Sequence, residues 1–286
     1  MTLGTGTRII KTQALSSFDM INSSFLNVQP QDSSDSSPKL IELSSIALND
    51  QSNYTIHDTY IDRSTVGFIE LSGIKNSDTL TSNFIIQDFV YTNSYLDFFH
   101  DLISFVGIET DNNFQISLSN VDMNNITFVR TGNLIKLGHQ TNTTLQLTDA
   151  MFSDLHGGQI YIGSSNLQND RLITKVSMTN ITTTSLSGAS NSFVSINEGG
   201  QVYIYDSNFT NIDNTQRGAV LNAGYQNSYI EVHNSTFKNN LSIYGGVANV
   251  QDSSVIKFYD CNLTDNFAIQ SGVIQVSSNG YFEMHR

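Results

Sequence analysis

The chain has 286 residues, 26 Asp and Glu against 13 Lys and Arg, and a formal charge of −13. Charge of that sign argues against a polyanion-binding protein, because neutralising phosphates needs a basic face. Helix formers are scarce, with 8 Ala, 6 Glu and 7 Lys, and the polar surface must come from 31 Asn, 37 Ser and 26 Thr. The 17 Phe and 12 Tyr exclude a purely disordered polar tract, and the abundance of β-branched and aromatic residues favours strands.

Taken along the chain, the predicted elements form two interleaved series. The first, strand A, is a small residue followed by alternating apolar positions. Its first inward residue is placed at Ile10, Ile41, Ile69, Ile103, Ile135, Ile160, Val194, Val220, Ala248 and Ile274. The second inward residue lies two positions on; Thr12 and Asn222 are the two departures there from apolar character. Strand B reads apolar-x-apolar-x-(Asp/Asn)-x-x-apolar and closes at Phe25, Ile61, Tyr91, Ile126, Phe152, Ile181, Phe209, Phe237 and Leu263. Inward pairs such as Tyr54 and Ile56, Ile230 and Val232, and Ile256 and Phe258 precede that residue. Period-2 alternation is the mark of a half-buried strand. A repeat of 25–36 residues without helical periodicity predicts a solenoid of stacked coils. The expectation is one all-β domain over 1–286 with nine to ten coils, looser over 1–175 and regular over 176–286. Residues 93–113, with Tyr95, Phe98 and Phe99, read as a longer loop over the coil, and Ser33 to Ser37 as a surface loop.

The pieces GGVANVQ (245–251) and SGVIQVS (271–277) match each other, as do IYDSNFT (204–210), VHNSTFK (232–238) and FYDCNLT (258–264). These paired motifs resemble the right-handed parallel β-helix of the pectin-lyase-like superfamily. More narrowly, they are similar to the repeats of chlamydial polymorphic outer membrane proteins and of large ciliate surface proteins. Gly245-Gly246-Val247-Ala248 and Phe237-Lys238-Asn239-Asn240 carry that likeness, with Leu263-Thr264-Asp265-Asn266 a near match and Phe152-Ser153-Asp154-Leu155 a departure.

The resemblance raises an enzymatic alternative, a polysaccharide lyase or hydrolase. The superfamily's Asn-Thr-Asp, Gly-Asp-Asp and Gly-His-Gly strings do not occur; Gly138-His139-Gln140 is a partial echo, and Glu109 and Asp111 are the closest pair of acids. The six Arg are scattered, at Arg8, Arg63, Arg130, Arg171, Arg217 and Arg286. Calcium wants six to eight oxygens close together. Asp58, Asp88, Asp149, Asp206 and Asp260 share one strand B position, with Asn22 and Asn234, and are expected to cap turns rather than to hold metal. Glu42 and Glu70 stack as solvated carboxylates. No catalytic residue, metal site or cofactor is assigned.

The outward face of strand B is more specific. Tyr203, Glu231, Lys257 and Glu283 are predicted to stack as one column beside Tyr205, His233, Tyr259 and His285. Tyr203, Tyr205, His233, Tyr259 and His285 form a candidate strip for sugar faces or a partner protein. Nine Asn-x-Ser/Thr sequons occur, at Asn22, Asn53, Asn125, Asn142, Asn180, Asn208, Asn234, Asn240 and Asn262. Asn125, Asn180, Asn208 and Asn262 are expected to share one outward column, Asn180 and Asn208 crowding each other. Cys261 is the sole cysteine, no 18-residue apolar run is present, and the N-terminus lacks the pattern of a secretory signal. Both termini fall inside a coil without a polar cap, which predicts a window of a longer solenoid or copies stacked end to end. The reading is a non-enzymatic extracellular structural or adhesive rod at the cell surface, its partners neighbouring coils, like molecules or surface glycans. An intracellular scaffold is the third alternative.

Overall fold

The computed structural model describes residues 10–13, 17–29, 39–44, 53–72, 75–76, 82–96, 101–106, 109–129, 132–164, 174–189, 192–197, 199–214, 216–224 and 228–286. Every element among them is a β-strand, and every pairing between coils is parallel. One ladder runs Ile10–Gln13, Lys39–Ser44, Gly67–Ser72, Asp101–Val106, the start of Asn133–His156, Ile160–Ser164, Val194–Asn197, Leu221–Gly224, Ala248–Val250 and Ile274–Val276. The second runs Ser17–Leu26, Asn53–Asp62, Ser82–Leu96, Glu109–Phe128, the rest of Asn133–His156, Lys175–Ala189, Gln201–Tyr205, Tyr229–His233, Val255–Tyr259 and Tyr281–His285. This is a parallel β-solenoid. A third side, not foreseen in the sequence, joins Asn208–Asn214, Leu241–Tyr244 and Phe267–Gln270.

What bends the second ladder into a solenoid is a pair of corners. Asn22, Asp58, Asp88, Asn120, Asp149, Asn180, Asp206, Asn234 and Asp260 share one column and all have φ between 45° and 56°. Five residues later stands a second column, Asn27, Arg63, Asn93, Asn125, Asp154, Ser185, Asn211, Asn239 and Asp265, with φ between 50° and 56°. Left-handed backbone is costly for most L-residues and least so for Asn and Asp, which explains the choice at sixteen of these eighteen positions. Turn capping was the expectation for the first column. From Asp88 on, its side chains instead reach along the axis, three Asn amides donating to the Asp of the preceding coil: Asn120 to Asp88, Asn180 to Asp149 at 2.6 Å and Asn234 to Asp206 at 2.7 Å.

Inside the corners the backbone is satisfied by small polar residues. Ser207 and Ser235 are buried, and each hydroxyl donates to the carbonyl two residues back, of Tyr205 at 2.6 Å and of His233 at 2.7 Å. Each also accepts a backbone N–H from the previous coil, Ile181 to Ser207 and Ser207 to Ser235, both at 3.1 Å. Cys261 occupies the next place in this column, its thiol 3.3 Å from the carbonyl oxygen of Tyr259. Asn240, 1% exposed, does the same work at the second corner: its Oδ1 accepts from the Ile212 N–H at 3.0 Å and its amide donates to the Phe209 carbonyl at 3.1 Å. Buried polar groups of this kind are tolerated because each has a partner.

The inward columns form one continuous core. Phe258 lies in it between Phe237, stacked at 5.3 Å, and Phe282, edge-on at 5.5 Å. The register corrects four sequence assignments. Leu221 and Ala223, not Val220 and Asn222, continue the strand A columns. Val220 is also fully buried, at the corner just before the strand, so apolar character could not tell the two apart. In strand B, Met123 and Thr183 pair with Phe152, so they hold the closing position, whereas Ile126 pairs with Leu155 and Ile181 with Ala150. Both isoleucines follow directly after a left-handed corner residue and are drawn inward there. The stretch 93–113 is not a loop over the coil: Ser82–Leu96, Asp101–Val106 and Glu109–Phe128 carry the ladders through it. Asn93 turns the chain there, leaving Tyr95 53% exposed on a strand. Phe98, Phe99 and Ser33 to Ser37 lie outside the described residues.

At the last coil, Ile274–Val276 and Tyr281–His285 have a strand neighbour on one side only among the described residues. Phe267 and Ile269 are 62% and 66% exposed on the third side. Gly245, at φ 66°, makes the turn into strand A, and a Cβ there would collide with the Ala248 carbonyl oxygen.

Two substitutions test this packing. Phe258→Ala is expected to cost about 3–5 kcal/mol as a cavity mutation. Gly245→Ala is expected to cost about 1–3 kcal/mol through backbone strain. Both are read by denaturant unfolding, and a near-neutral Phe258→Ala would contradict the register.

Candidate functional site

The most chemically differentiated surface is the outer face of the second ladder over its last four coils. Strand alternation points Ile230, Val232, Ile256 and Phe258 inward, all fully buried, and leaves the residues between them outside. The pairings Tyr203 to Glu231 to Lys257 to Glu283, and Tyr205 to His233 to Tyr259 to His285, are in register as the alternation predicts. Tyr205 and His233 stack at 5.2 Å and 16°, His233 and Tyr259 at 4.8 Å and 12°, and Tyr259 and His285 at 4.9 Å and 4°. The ring faces are therefore turned on one another along the solenoid axis. A sugar ring needs an open aromatic face, and the interior of this column offers ring edges instead.

A third column, Gln201, Tyr229, Val255 and Tyr281, completes the site. With it appears a motif not singled out in the sequence, Tyr-x-Glu-x-His at 229–233 and again at 281–285. The Tyr229 hydroxyl donates to Glu231 Oε2, and His233 Nε2 lies 2.7 Å from Glu231 Oε1. The second copy repeats this: the Tyr281 hydroxyl is 3.3 Å from Glu283 Oε2, and His285 Nε2 is 2.5 Å from Oε1. A carboxylate only accepts, so Nε2 carries the proton in both imidazoles. Lys257 pairs with Glu283 at 3.1 Å.

These contacts set the acidities. Glu231 is held below the usual carboxylate range, first by the Tyr229 hydrogen bond and then by His233 and Lys257, against partial desolvation. Glu283 is lowered first by Lys257 and then by His285. Tyr229 moves the other way, because burial and the adjacent Glu231 charge both disfavour a phenolate.

Other polar constellations lie elsewhere. On the first ladder, the Lys39 side chain passes over Gly67 and donates to the carbonyl oxygen of Asp101. The Asp101 carboxylate takes Asn133 at 2.5 Å and Lys136 at 3.1 Å. Lys39 is 2% exposed, and burial pushes its ammonium pKa down against the pull of Asp101 and Glu70. Glu42 and Glu70 are neighbours in this ladder, as the sequence predicts. A shallow groove of about 310 Å³ on the second ladder is lined by Asn83, Phe84, Ile85, Gln115, Ile116, Ser117, Thr144 and Gln146. Among the described residues, no cluster of three or more His, Cys, Asp or Glu is arranged to hold a metal ion. The side chains of Glu109, Asp111, His139 and Asn142 are outside the described residues.

Asn125, Asn180, Asn208 and Asn262 do not share one column. Asn180 stands at the first corner and Asn125 at the second, where it donates to Asn93 at 2.6 Å. Asn208 and Asn262 share a column with Thr236 between them. Asn208 pairs with Thr182, so Asn180 and Asn208 are on adjacent coils but two positions out of line. The four-residue column was inferred from the apolar residue that follows each Asn, and two of those residues, Ile126 and Ile181, belong to corners. Asn22, Asn53, Asn125, Asn180, Asn208, Asn234 and Asn262 are exposed, whereas Asn240 is buried and used by the backbone.

Comparison with protein-family models, with curated proteins and with solved structures returns no match. No helix among the described residues is long and apolar enough to cross a membrane.

The acidities of Glu231 and Glu283 give a signed expectation. Both carboxyls ionise more readily in the folded chain, so their contribution to stability is present above the ordinary carboxylate range and is lost as pH falls through the folded values. The thermal midpoint should decline on acidification below about pH 5, and decline less steeply in Glu231→Gln, which has no charge to lose. Parallel midpoint-against-pH curves for the two proteins would contradict the assignment.

Proposed function

We propose that the chain is a non-enzymatic extracellular solenoid, a structural or adhesive rod segment of a large cell-surface or secreted protein with pectin-lyase-like repeats. The observation that carries this reading is how the outer surface is used. From Asp88 to Asp260 the first corner alternates Asp and Asn, linked in pairs along the axis, and the Tyr, His, Glu and Lys columns partner one another in the same direction. Side chains that neutralise and stack on their own neighbours stiffen a rod and leave few groups poised for reaction. Seven exposed sequons on such a surface support an address outside the cell.

Asn262 and Asn208 are the preferred glycan positions. Both are exposed, they stand two coils apart with Thr236 between them, and the Thr264 hydroxyl of the Asn262 sequon donates to Asn262 Oδ1 at 2.8 Å. Intact-mass measurement on protein from its native source, before and after glycosidase treatment, is expected to show glycan at Asn262 and Asn208 and none at Asn240. A chain without glycan at any sequon would favour the intracellular scaffold.

One observation favours an adhesive component. The described residues lining the groove bear no charge and combine amides and hydroxyls with the apolar Phe84, Ile85 and Ile116, a lining suited to a neutral oligosaccharide. Binding of neutral glycans, weakened at least several-fold in Gln115→Ala and without new reducing ends, is the expected outcome. Appearance of new reducing ends would instead establish the carbohydrate-active alternative.

A further inference from the structure

Two tyrosines on the outer strip are placed for a chemistry that stacking does not explain. The rings of Tyr203 and Tyr229, on adjacent coils, have centroids 6.0 Å apart at 51°. Both side chains are half-buried on the outer face. The Tyr229 hydroxyl already donates to Glu231 Oε2, a carboxylate kept ionised by His233 and Lys257 around it. A phenol bonded to a carboxylate loses an electron more readily, because its proton has a place to go as the electron leaves. Tyr205 and Tyr259 are differently disposed: His233 lies between them, and Tyr259 has an imidazole on each face.

We propose that Tyr203 and Tyr229 form an oxidative cross-linking site, a dityrosine staple between adjacent coils whose co-substrate is a peroxide used through a haem peroxidase. Each phenol gives up one electron and one proton, the proton of Tyr229 passing first to Glu231. The two phenoxyl radicals join through the ring carbons ortho to oxygen. The hydrogen on each joined carbon then moves to its own phenol oxygen, which restores both aromatic rings. Two electrons and two protons leave in all, and one hydrogen peroxide takes them up as two waters. The product ties one coil to the next covalently, in the direction along which a rod would be pulled. This deepens the extracellular structural reading and rests on it for the source of oxidant. The test on the purified chain can be read whatever the glycan result.

The experiment treats the purified full chain with a haem peroxidase and hydrogen peroxide, then digests it with trypsin. The expected product joins the peptides 176–217 and 218–238, two hydrogens lighter than their sum, with dityrosine fluorescence in the monomer. Tyr203→Phe and Tyr229→Phe should each abolish it, Tyr205→Phe and Tyr225→Phe should retain it, and Glu231→Gln should slow it several-fold. The wild-type chain unfolded in urea should lose the selectivity between these tyrosines. Absence of the cross-link, its passage through Tyr205 or Tyr225, equal yield from the unfolded chain, or products confined to dimers would each overturn the proposal.

Discussion

The structure depends on a backbone conformation that most residues avoid. Two left-handed turns, five residues apart, are repeated through the coils of the second ladder. Placing Asn or Asp there limits the backbone cost and supplies side chains that bond from coil to coil. Without the corners the strands would have no fixed place to bend, and the inward columns would not line up into one core. The buried serines and Asn240 belong to the same device, since they take the N–H groups that the bend turns away from the ladder.

The outer strip follows from the same regularity. Once every coil is held in register, outward residues three and one before the first corner meet their counterparts directly above and below. Tyrosine, histidine, glutamate and lysine at those positions partner one another, which raises the local order of a surface that would otherwise be a brush of mobile side chains. Pairs of this kind contribute about 0.2–1 kcal/mol each. Their effect here is chiefly on placement: Glu231 and Glu283 are each fixed by a tyrosine and a histidine of their own strand.

The fold was legible because alternation and the Asp/Asn position of strand B are written openly from residue 201 onward. Phe209, Phe237 and Leu263 stand three residues past a corner Asp or Asn, and their pairing agrees with the repeat. The outward columns ending at Glu283 and His285 could be read off for the same reason. Where the pattern misled, two apolar residues competed for one inward position, as with Ile126 against Met123 or Val220 against Leu221, or an apolar residue stood beside a polar one that holds the position, as with Ile181 and Thr183. A left-handed residue shifts which side chain points in, and hydropathy carries no sign of φ. Asn240 illustrates a different gap: the sequon reads as a surface feature, while its burial depends on the second corner, which the repeat pattern does not distinguish from the first. The third side was missed because its strands are short, and on Leu241–Tyr244 the serine points inward while the leucine stays partly exposed.

The pairing of Asp with Asn has a consequence for how such a chain can lengthen. From Asp88 onward the first corner alternates strictly, and the Tyr-x-Glu-x-His sequence returns after two coils rather than one. The chemical period is thus twice the geometric one. A duplication of two coils would carry its own donors and acceptors and join either neighbour without conflict. A duplication of one coil would set carboxylate against carboxylate, or amide against amide, at a junction where the backbone itself fits. Growth by even numbers keeps the surface self-consistent, and an odd insertion would leave a seam in the middle of the rod.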